Sequence, residues 1–355
     1  MFKPVALLVL FATVALAADP IVGGPFVVNV TPTAATVVWI TQSGETTIGT
    51  TEGSLDRMAP ALHAANSSFT GLKPGTTYYY DVNGTAEGKG SFKTPPADAK
   101  AFDFVVYGDT RTRHDMHRRI VAAVVKSGKP DFVLHTGDLV ENGLDTAQWP
   151  LFFGIERELL RETVFFPSLG NHERNNRQFY EFFQIGPPYY SFNWGKNHFI
   201  VLNSDIGNAG VDSAMKETFW AQQKHWLEED LAKNQSAEFR FVIAHHPPIT
   251  AVSRRQGSNP EMTALIPLFE KYKLTAGFFG HDHNYQHYLK DGIHYVVTGG
   301  GGAPLYDVDK PAAGITVKAV STEHFVKIHV EGGVVKVTAI ALDGRTLDEF
   351  EMKGR

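Results

Sequence analysis

The sequence predicts an N-terminal all-β sandwich followed by an α/β domain. From Ile21 to about Pro96, short segments alternate apolar and polar residues between turn signals. After Lys100, apolar strand-like runs alternate with segments of helical periodicity. A polar, Pro-rich stretch from Lys93 to Lys100 separates the two patterns, and 355 residues suffice for two domains. We therefore expect the sandwich over residues 21–96 and the α/β domain over residues 97–355.

The first 17 residues predict a secretory signal peptide. Lys3 is positive, Val5 to Leu16 is almost entirely apolar, and Ala15-Leu16-Ala17 is a small-x-small cleavage pattern. A membrane anchor is the alternative, but this 12-residue stretch is shorter than the roughly 20 residues that span a bilayer. We therefore expect a secreted or periplasmic protein with no membrane span after cleavage. No cysteine near the cut offers a lipid attachment point.

Composition excludes several functional classes. The formal net charge of −5 argues against a broad nucleic-acid-binding surface, which needs a basic excess. The chain has no cysteine, so thiolate chemistry is excluded and stability must come from the core. Any metal ion must be bound by His, Asp, Glu, Asn or backbone oxygen. Composition leaves the oligomeric state open.

The N-terminal region carries two strand signals and one corner motif. Ala35 to Thr41 alternates with Val37 and Trp39 on one face, and TTYYYDVNG ends in an Asn-Gly turn. In the pattern L-x-P-x-T-x-Y, Tyr78 can close a tyrosine corner at the start of a strand. The region resembles a fibronectin type III-like β-sandwich. Alternatively, the three consecutive tyrosines form a ligand-binding aromatic face.

The α/β region is predicted from its periodicity. Helical spacing predicts helices over His117–Lys126 and Lys216–Lys233, the second with its tryptophans packed in the core. Two late runs, His324–Val330 and Val334–Leu342, predict a hairpin. Seven apolar runs predict strands buried on both faces: Phe102–Tyr107, Asp131–His135, Val164–Ser168, His198–Asn203, Phe239–Ala244, Ala276–Phe279 and Ile293–Thr298.

Polar residues follow five of these runs directly. Taken singly each signal is weak, because Gly-Asp after a strand is commonly a turn. Ligand sites in α/β sheets form outside the carboxyl ends of strands, so five such ends carrying oxygen and imidazole ligands predict one metal site. The segments are GDTR with Asp109, TGDLVEN with Asp138, LGNHE with Asn171 and His172, HHPP with His245 and His246, and GHDH with His281 and His283.

These five motifs, in this order, resemble those of the calcineurin-like metallophosphoesterases. The likeness is closest to the purple acid phosphatase branch, which also carries an N-terminal fibronectin-like domain, and it covers about Val22 to the C-terminus. It implies a four-layer α/β/β/α sandwich and two divalent or di/trivalent metal ions, of iron, zinc or manganese. The implied ligands are Asp138 as the bridge, Asp109 and His283 for one ion, and Asn171, His245 and His281 for the other.

The resemblance also implies hydrolysis of a small phosphate monoester by attack of a metal-bound hydroxide, as in acid phosphatases. His172 would act on the substrate, as a general acid or by stabilising charge. Arg111 could bind the phosphate bidentately or form a salt bridge to Asp138 or Glu141. His246 could assist the ligands or contact the phosphate.

Two family features are absent. Many members have D-x-H in the first motif, but Asp109 is followed here by Thr110 and Arg111. Purple phosphatases have Tyr three residues after the bridging Asp, where this chain has Glu141. One ligand of the Asp109 ion is therefore unassigned. Glu141, His117 or water could supply it, although His117 could equally be an ordinary residue at a helix start.

Two alternative functions stay open at this point. A phosphodiesterase or nucleotide hydrolase could use the same site, and the segments Ser204–Lys216 and Ile249–Met262, expected to border the cleft, would decide between substrates. In a different class, the chain could be a surface binding protein with a degenerate metal site. The complete set of candidate ligands argues against that class.

Overall fold

The computed structural model describes residues 19–98 and 101–354, so the signal peptide predicted over residues 1–17 lies outside the described residues. The strands are β1 (Ile21–Thr31), β2 (Ala34–Ile48), β3 (Arg57–Thr70), β4 (Thr77–Asp81), β5 (Lys89–Lys93), β6 (Ala101–Tyr107), β7 (Phe132–His135), β8 (Val164–Pro167), β9 (Tyr190–Trp194), β10 (Asn197–Val201), β11 (Arg240–Ala244), β12 (Ala276–Phe279), β13 (Tyr285–Lys290), β14 (Ile293–Thr298), β15 (Thr316–Val320), β16 (His324–Glu331), β17 (Val334–Ala341) and β18 (Thr346–Lys353). The α-helices are α1 (His114–Lys126), α2 (Gln148–Leu160), α3 (Arg177–Phe183), α4 (Ser213–Lys233), α5 (Pro260–Thr263) and α6 (Ile266–Lys271), and two 3₁₀ helices span Ile206–Asn208 and Ser253–Arg255.

Helix α4 shows how local sequence produces these elements. Its N-cap is Asp212, whose side chain accepts a hydrogen bond from the Met215 N–H at 2.9 Å. Gln223, Leu227 and Leu231 recur at a spacing of four and are all buried. Trp220 and Trp226 pack against the same core while remaining partly exposed. The predicted helix is thus confirmed, with its tryptophans at the edge of the core.

Two large sheets form the centre of the molecule. The first has nine strands in the order β18-β17-β16-β6-β7-β8-β1-β2-β3, and the second has seven in the order β15-β13-β14-β12-β11-β10-β9. Strands β6, β7 and β8 are parallel, as are β10, β11, β12 and β14. Their carboxyl ends can therefore deliver side chains to a common edge.

Apolar side chains fill three layers between and outside the sheets. The inner faces of both sheets share one aromatic core, in which Phe104 of the first sheet packs edge-on against Phe199 and Phe278 of the second. Helices α1, α2 and α3 contribute to the core outside the nine-stranded sheet, and α4, α5 and α6 to the core outside the seven-stranded sheet. This is the α/β/β/α layering, with apolar strands buried on both faces.

The N-terminal region is rich in strands, as predicted, but the sheets do not confirm a fibronectin-type sandwich. Strands β1 to β3 extend the nine-stranded sheet, because Val27 pairs in parallel with Val164 of β8. Phe26 of β1 stacks on Phe153 of α2 at 5.3 Å. Only β4 and β5 form a separate two-stranded sheet among the described residues. Alternating residues predict a strand, but they do not say which strand it pairs with.

The three consecutive tyrosines differ in environment. The Tyr78 hydroxyl accepts a hydrogen bond from the Lys73 N–H at 2.8 Å, which is the contact expected of a tyrosine corner. The Tyr80 hydroxyl donates to the Arg161 carbonyl at 3.0 Å, while Tyr79 is 84% exposed. Two of the three are therefore used to hold the strand in place.

Among the described residues, no helix has both the length and the apolar character needed to cross a membrane.

Candidate metal centre

The polar residues predicted at strand ends converge on one edge of the two sheets. They follow β6, β7 and β8 in one sheet and β11 and β12 in the other. Two groups have ligand atoms that lie within 4.8 Å of one another: Asp109, Asp138 and His283 in the first, and His245, His246 and His281 in the second. All six residues are buried.

Unusual backbone geometry brings these loops together. Asp109, Asp138 and His281 adopt left-handed φ angles of 58°, 56° and 68°, a region that costs energy for side chains other than Gly. Gly170 and Gly280 allow the loops to approach closely. An added Cβ would overlap Asp138 Oδ1 at the first position and Asp109 Oδ2 at the second. The glycine that precedes the ligand is thus required by packing in these two motifs.

In the first group, His283 is oriented by a backbone carbonyl. Its Nδ1 donates to the Pro304 carbonyl at 2.6 Å, which leaves Nε2 with a free lone pair. That Nε2 lies 3.4 Å from Asp109 Oδ1, and the Tyr306 ring stacks on the imidazole at 4.1 Å. The hydrogen bond sets the tautomer that a metal ligand needs.

The second group is oriented in the same way. His245 Nδ1 donates to the Thr136 carbonyl at 2.9 Å. Its Nε2 then lies 3.1 Å from Asn171 Oδ1, 3.2 Å from His281 Nδ1 and 3.4 Å from Asp138 Oδ1. Four acceptor-type atoms therefore meet in one buried space, an arrangement that a cation stabilises. The residues fit the metal site that the sequence predicts.

The buried carboxylates of the centre favour a positive charge beside them. Burial by itself raises the pKa of Asp138, but the charge of His245 outweighs burial and holds the pKa well below its usual range. Burial likewise lowers the pKa of His245, yet Asp138 and Asp109 raise it to about 9. A metal ion competes with this proton for the same carboxylates, so its binding releases protons.

His172 and Arg111 lie at the mouth of the centre. His172 Nδ1 donates to the Glu141 carbonyl at 2.6 Å, and Nε2 lies 3.9 Å from Asp138 Oδ2. Arg111 Nε lies 3.4 Å from Asp138 Oδ2, and Nη1 contacts the Glu141 carboxylate. Arg111 thus forms the salt bridges that were weighed against phosphate binding, and phosphate binding by this side chain stays a prediction.

The structure does not bring either suggested extra ligand into the two groups. Burial raises the pKa of Glu141, but hydrogen bonds from Thr112 and Arg111 outweigh it and lower the pKa below its usual value. His117 lies inside the core between α1 and α2, where its Nε2 bonds Glu156 Oε1 at 2.6 Å. Glu141 thus forms hydrogen bonds at the rim, and His117 is part of the helix packing.

His246 does lie beside the ligands. Its ring centroid is 4.1 Å from that of His281, and its Nδ1 is 3.0 Å from the Ser204 hydroxyl. Burial, together with the charge of His245, lowers the pKa of His246 to about 3. A neutral imidazole in this place can offer its lone pair to a metal ion or donate one hydrogen bond, as the two predicted roles require.

Two further residues act on the centre without having been predicted. Glu173 is fully buried and accepts N–H bonds from Asp138, Leu139, Val140 and Gly170. Burial and the charge of Asp138 raise its pKa to about 8, and the N–H donors act in the opposite direction. In the sequence, the signal that could have indicated this role is the position of Glu173 directly after Asn171 and His172.

Arg255 is the second of these residues. Its Nη1 contacts His281 Nε2, its Nε lies 3.4 Å from Asp282 Oδ1, and its Nη2 donates to the Tyr306 hydroxyl at 3.2 Å. It therefore lies against the ring nitrogen of His281 that faces away from the ligand cluster. In the sequence, Arg255 follows Arg254 in a loop segment, where such a pair is usually solvated.

Comparison with known proteins agrees with this geometry. The family model for calcineurin-like phosphoesterases matches residues 102–285. An uncharacterized protein of Mycobacterium tuberculosis is 24% identical over 310 residues, covering 75% of this chain and 57% of that protein. Purple acid phosphatase 15 of Arabidopsis thaliana is 27% identical over 309 residues, covering 71% of this chain and 55% of that protein. The chain thus spans about half the length of these relatives.

The fold has a similar counterpart among solved structures. A purple acid phosphatase from yellow lupin seeds superposes with a TM-score of 0.71 at 18% sequence identity, covering 94% of this chain and 75% of that one. At this identity the similarity supports the fold. It extends across the N-terminal strands as well as the α/β region.

Proposed function

Because the chain belongs to the calcineurin-like phosphoesterase family and is a metal-dependent phosphoester hydrolase resembling the purple acid phosphatases, we propose that it hydrolyses phosphate monoesters with two metal ions. The observation that carries the proposal is the position of Asp138. Its carboxylate belongs to the ligand group of Asp109 and His283, and its Oδ1 also lies 3.4 Å from His245 Nε2. One carboxylate therefore lies within reach of both ligand groups, which supports the proposed role of Asp138 as the bridging ligand.

The ligand assignment is the one that the family resemblance implies, and the lone pairs left free on His245 Nε2 and His283 Nε2 support it. Asp109, Asp138 and His283 would hold one ion. Asp138, Asn171, His245 and His281 would hold the other, with His246 beside them. Carboxylate, amide oxygen and imidazole suit iron, zinc or manganese. When bound, such a pair of ions supplies Lewis acidity and a water of lowered pKa.

The remaining residues of the centre would act on the substrate. With Nδ1–H bonded to the Glu141 carbonyl, Nε2 faces the centre, and the imidazolium form of His172 would carry there the proton for the leaving oxygen. Arg111 would orient an ester phosphate once it exchanges part of its contact with Glu141. The phosphorus–oxygen bond of the ester breaks, water supplies the new oxygen of inorganic phosphate, and the alcohol leaves with a proton.

Two other functions are distinguished by assay. A phosphodiesterase would cleave a bis-aryl phosphate faster than the matching mono-aryl phosphate. A binding protein with a degenerate site would hydrolyse neither. Export is also part of the proposal, and it rests on the sequence of residues 1–17, which lies outside the described residues. Sequencing the N-terminus of protein isolated from the producing cells tests it.

The central experiment is removal of the metal. Dialysis against a strong chelator should abolish hydrolysis of an aryl phosphate, and divalent metal should restore it. Asp138→Asn should lose activity in metal-loaded protein, whereas Asp56→Asn, the same change at an exposed position, should not. Full activity in demetallated protein would refute the proposal.

A further inference from the structure

A polar cavity of about 540 Å³ opens beside the candidate metal centre, within the range of roughly 300–1,000 Å³ that is usual for ligand pockets. It touches the centre at Asn171 and His246. One wall comes from residues 204–208 with Lys216, and the other from residues 258–262. These walls belong to the two segments that the sequence analysis expected to border the cleft. A phosphate held at the metal ions would place its ester group in this space.

The charges around the cavity are mainly negative. Asp205 and Glu261 lie on opposite walls, with Lys216 as the single cation among the lining residues that the structure describes. Asp205 is 2% exposed, and its two oxygens accept from Asn208 Nδ2 at 3.2 and 2.9 Å. Burial raises the pKa of Asp205 above its usual value, and the Asn208 hydrogen bonds act in the opposite direction. A second phosphate next to the first would meet the Glu261 carboxylate directly and the field of Asp205 from behind the wall, and both repel it. Pyrophosphate and nucleoside polyphosphates are therefore poor candidates.

Nucleosides are disfavoured by a different feature. The lining residues that the structure describes include no Phe, Tyr or Trp, and a nucleobase usually stacks on an aromatic ring. The lining carries hydroxyl and amide side chains instead, among them Ser204, Asn208, Ser258 and Asn259. Each already makes at least one hydrogen bond within the protein and keeps an oxygen that can accept another. Carboxylates accept hydrogen bonds from hydroxyls, and amide and ammonium groups donate to them. A neutral group with many hydroxyls matches this lining.

We propose that this cavity binds the leaving group and selects monoesters of sugars or other polyols. The inference rests on the proposed function. The ester carbon–oxygen bond stays intact, the phosphorus–oxygen bond is cleaved, and the products are a neutral polyol and inorganic phosphate. Asp205 and Glu261 are specificity-determining residues in this scheme, and they take no part in the chemical step.

The experiment compares kcat/KM of metal-loaded protein for glucose 6-phosphate, adenosine 5′-monophosphate and inorganic pyrophosphate, with p-nitrophenyl phosphate as reference. Glucose 6-phosphate should exceed the other two natural compounds at least tenfold. If no compound is hydrolysed, the proposed function fails. If p-nitrophenyl phosphate is hydrolysed but glucose 6-phosphate is not preferred, only the present inference fails.

Charge-removing variants test the cause of the preference. The double variant Asp205→Asn with Glu261→Gln should raise the ratio of pyrophosphate to glucose 6-phosphate hydrolysis about tenfold, because the repulsion is removed. Lys216→Gln should lower the same ratio. Glu217→Gln is the control, since this exposed residue follows Lys216 but does not line the cavity, and the ratio should not move.

A loss of folding in the double variant does not block the test. Glu261 and Lys216 are partly exposed, so the single variants Glu261→Gln and Lys216→Gln give opposite expected shifts in well-tolerated positions. Ratios that stay at the wild-type value in both single variants would overturn the role of the cavity charges.

Discussion

Replacement of Glu173 by Ala should destabilise the protein and weaken metal binding together. The Glu173 carboxylate accepts N–H bonds from Leu139 and Gly170 at 2.7 Å, from Asp138 at 3.0 Å and from Val140 at 3.3 Å. Each buried N–H left without an acceptor costs about 1–3 kcal/mol. Water entering the vacated space can satisfy some donors, so the low end of the range applies. Four donors then give about 4 kcal/mol.

Such a loss is large beside the roughly 5–15 kcal/mol by which native proteins are stable. The effect on metal binding follows from geometry, because Glu173 holds the backbone of Asp138 and the loop of Asn171. Loss of a group that orients a ligand typically lowers metal affinity about 10–100-fold. Glu173→Gln keeps one acceptor oxygen, so about half the destabilisation, roughly 2 kcal/mol, is expected.

The measurements are urea unfolding in the presence of chelator and calorimetric titration with metal. Glu158→Ala serves as the matched control, because this glutamate is largely exposed and its ion pair with Arg161 is long at 3.7 Å. An unfolding free energy for Glu173→Ala within about 1 kcal/mol of the wild-type value, with unchanged metal affinity, would refute the reasoning.

Three further outcomes are expected. His172→Ala should lower kcat by on the order of 10²–10⁴ at unchanged metal content, and stopped assays should show a smaller loss for esters with good leaving groups; an equal loss would reject the acid role. Glu141→Gln and His117→Ala should both keep two tightly held ions by elemental analysis, since neither side chain lies in a ligand group; loss of one ion would assign the missing ligand. Burial lowers the pKa of His324 from 6.5 to about 4, so stability should fall as pH drops from 6.5 toward 4, by up to about 3 kcal/mol. Urea midpoints across this range should fall less steeply for His324→Gln, and identical slopes would contradict the assignment.

The sequence by itself was sufficient for the α/β region and for the candidate ligands. Buried parallel strands are continuous apolar runs, so β6, β10 and β11 could be located within one or two residues. Oxygen and imidazole ligands directly after such runs can hardly be explained by packing. The chemistry of the centre is therefore local in sequence, since each motif carries its own ligand.

Other features depended on long-range contacts. The pairing of β1 with β8 joins Val27 and Val164, which are 137 residues apart, and no local pattern encodes that choice of partner. The same holds for Glu141 and His117, whose spacing from the ligands allowed them to reach the metal. In the fold, Arg111 and Thr112 instead bind the Glu141 carboxylate, and Glu156 forms a hydrogen bond with His117.

Glu173 and Asp205 show the limit most clearly. The sequence does not reveal that four backbone N–H groups from two loops surround the Glu173 carboxylate. It also does not reveal that Asp205 lines a cavity beside His246. Ligand identity is a property of residue type and strand position, which the sequence contains. Orientation, desolvation and the shape of the leaving-group cavity arise only when distant segments pack together, because burial and electric fields are sums over all neighbours in space.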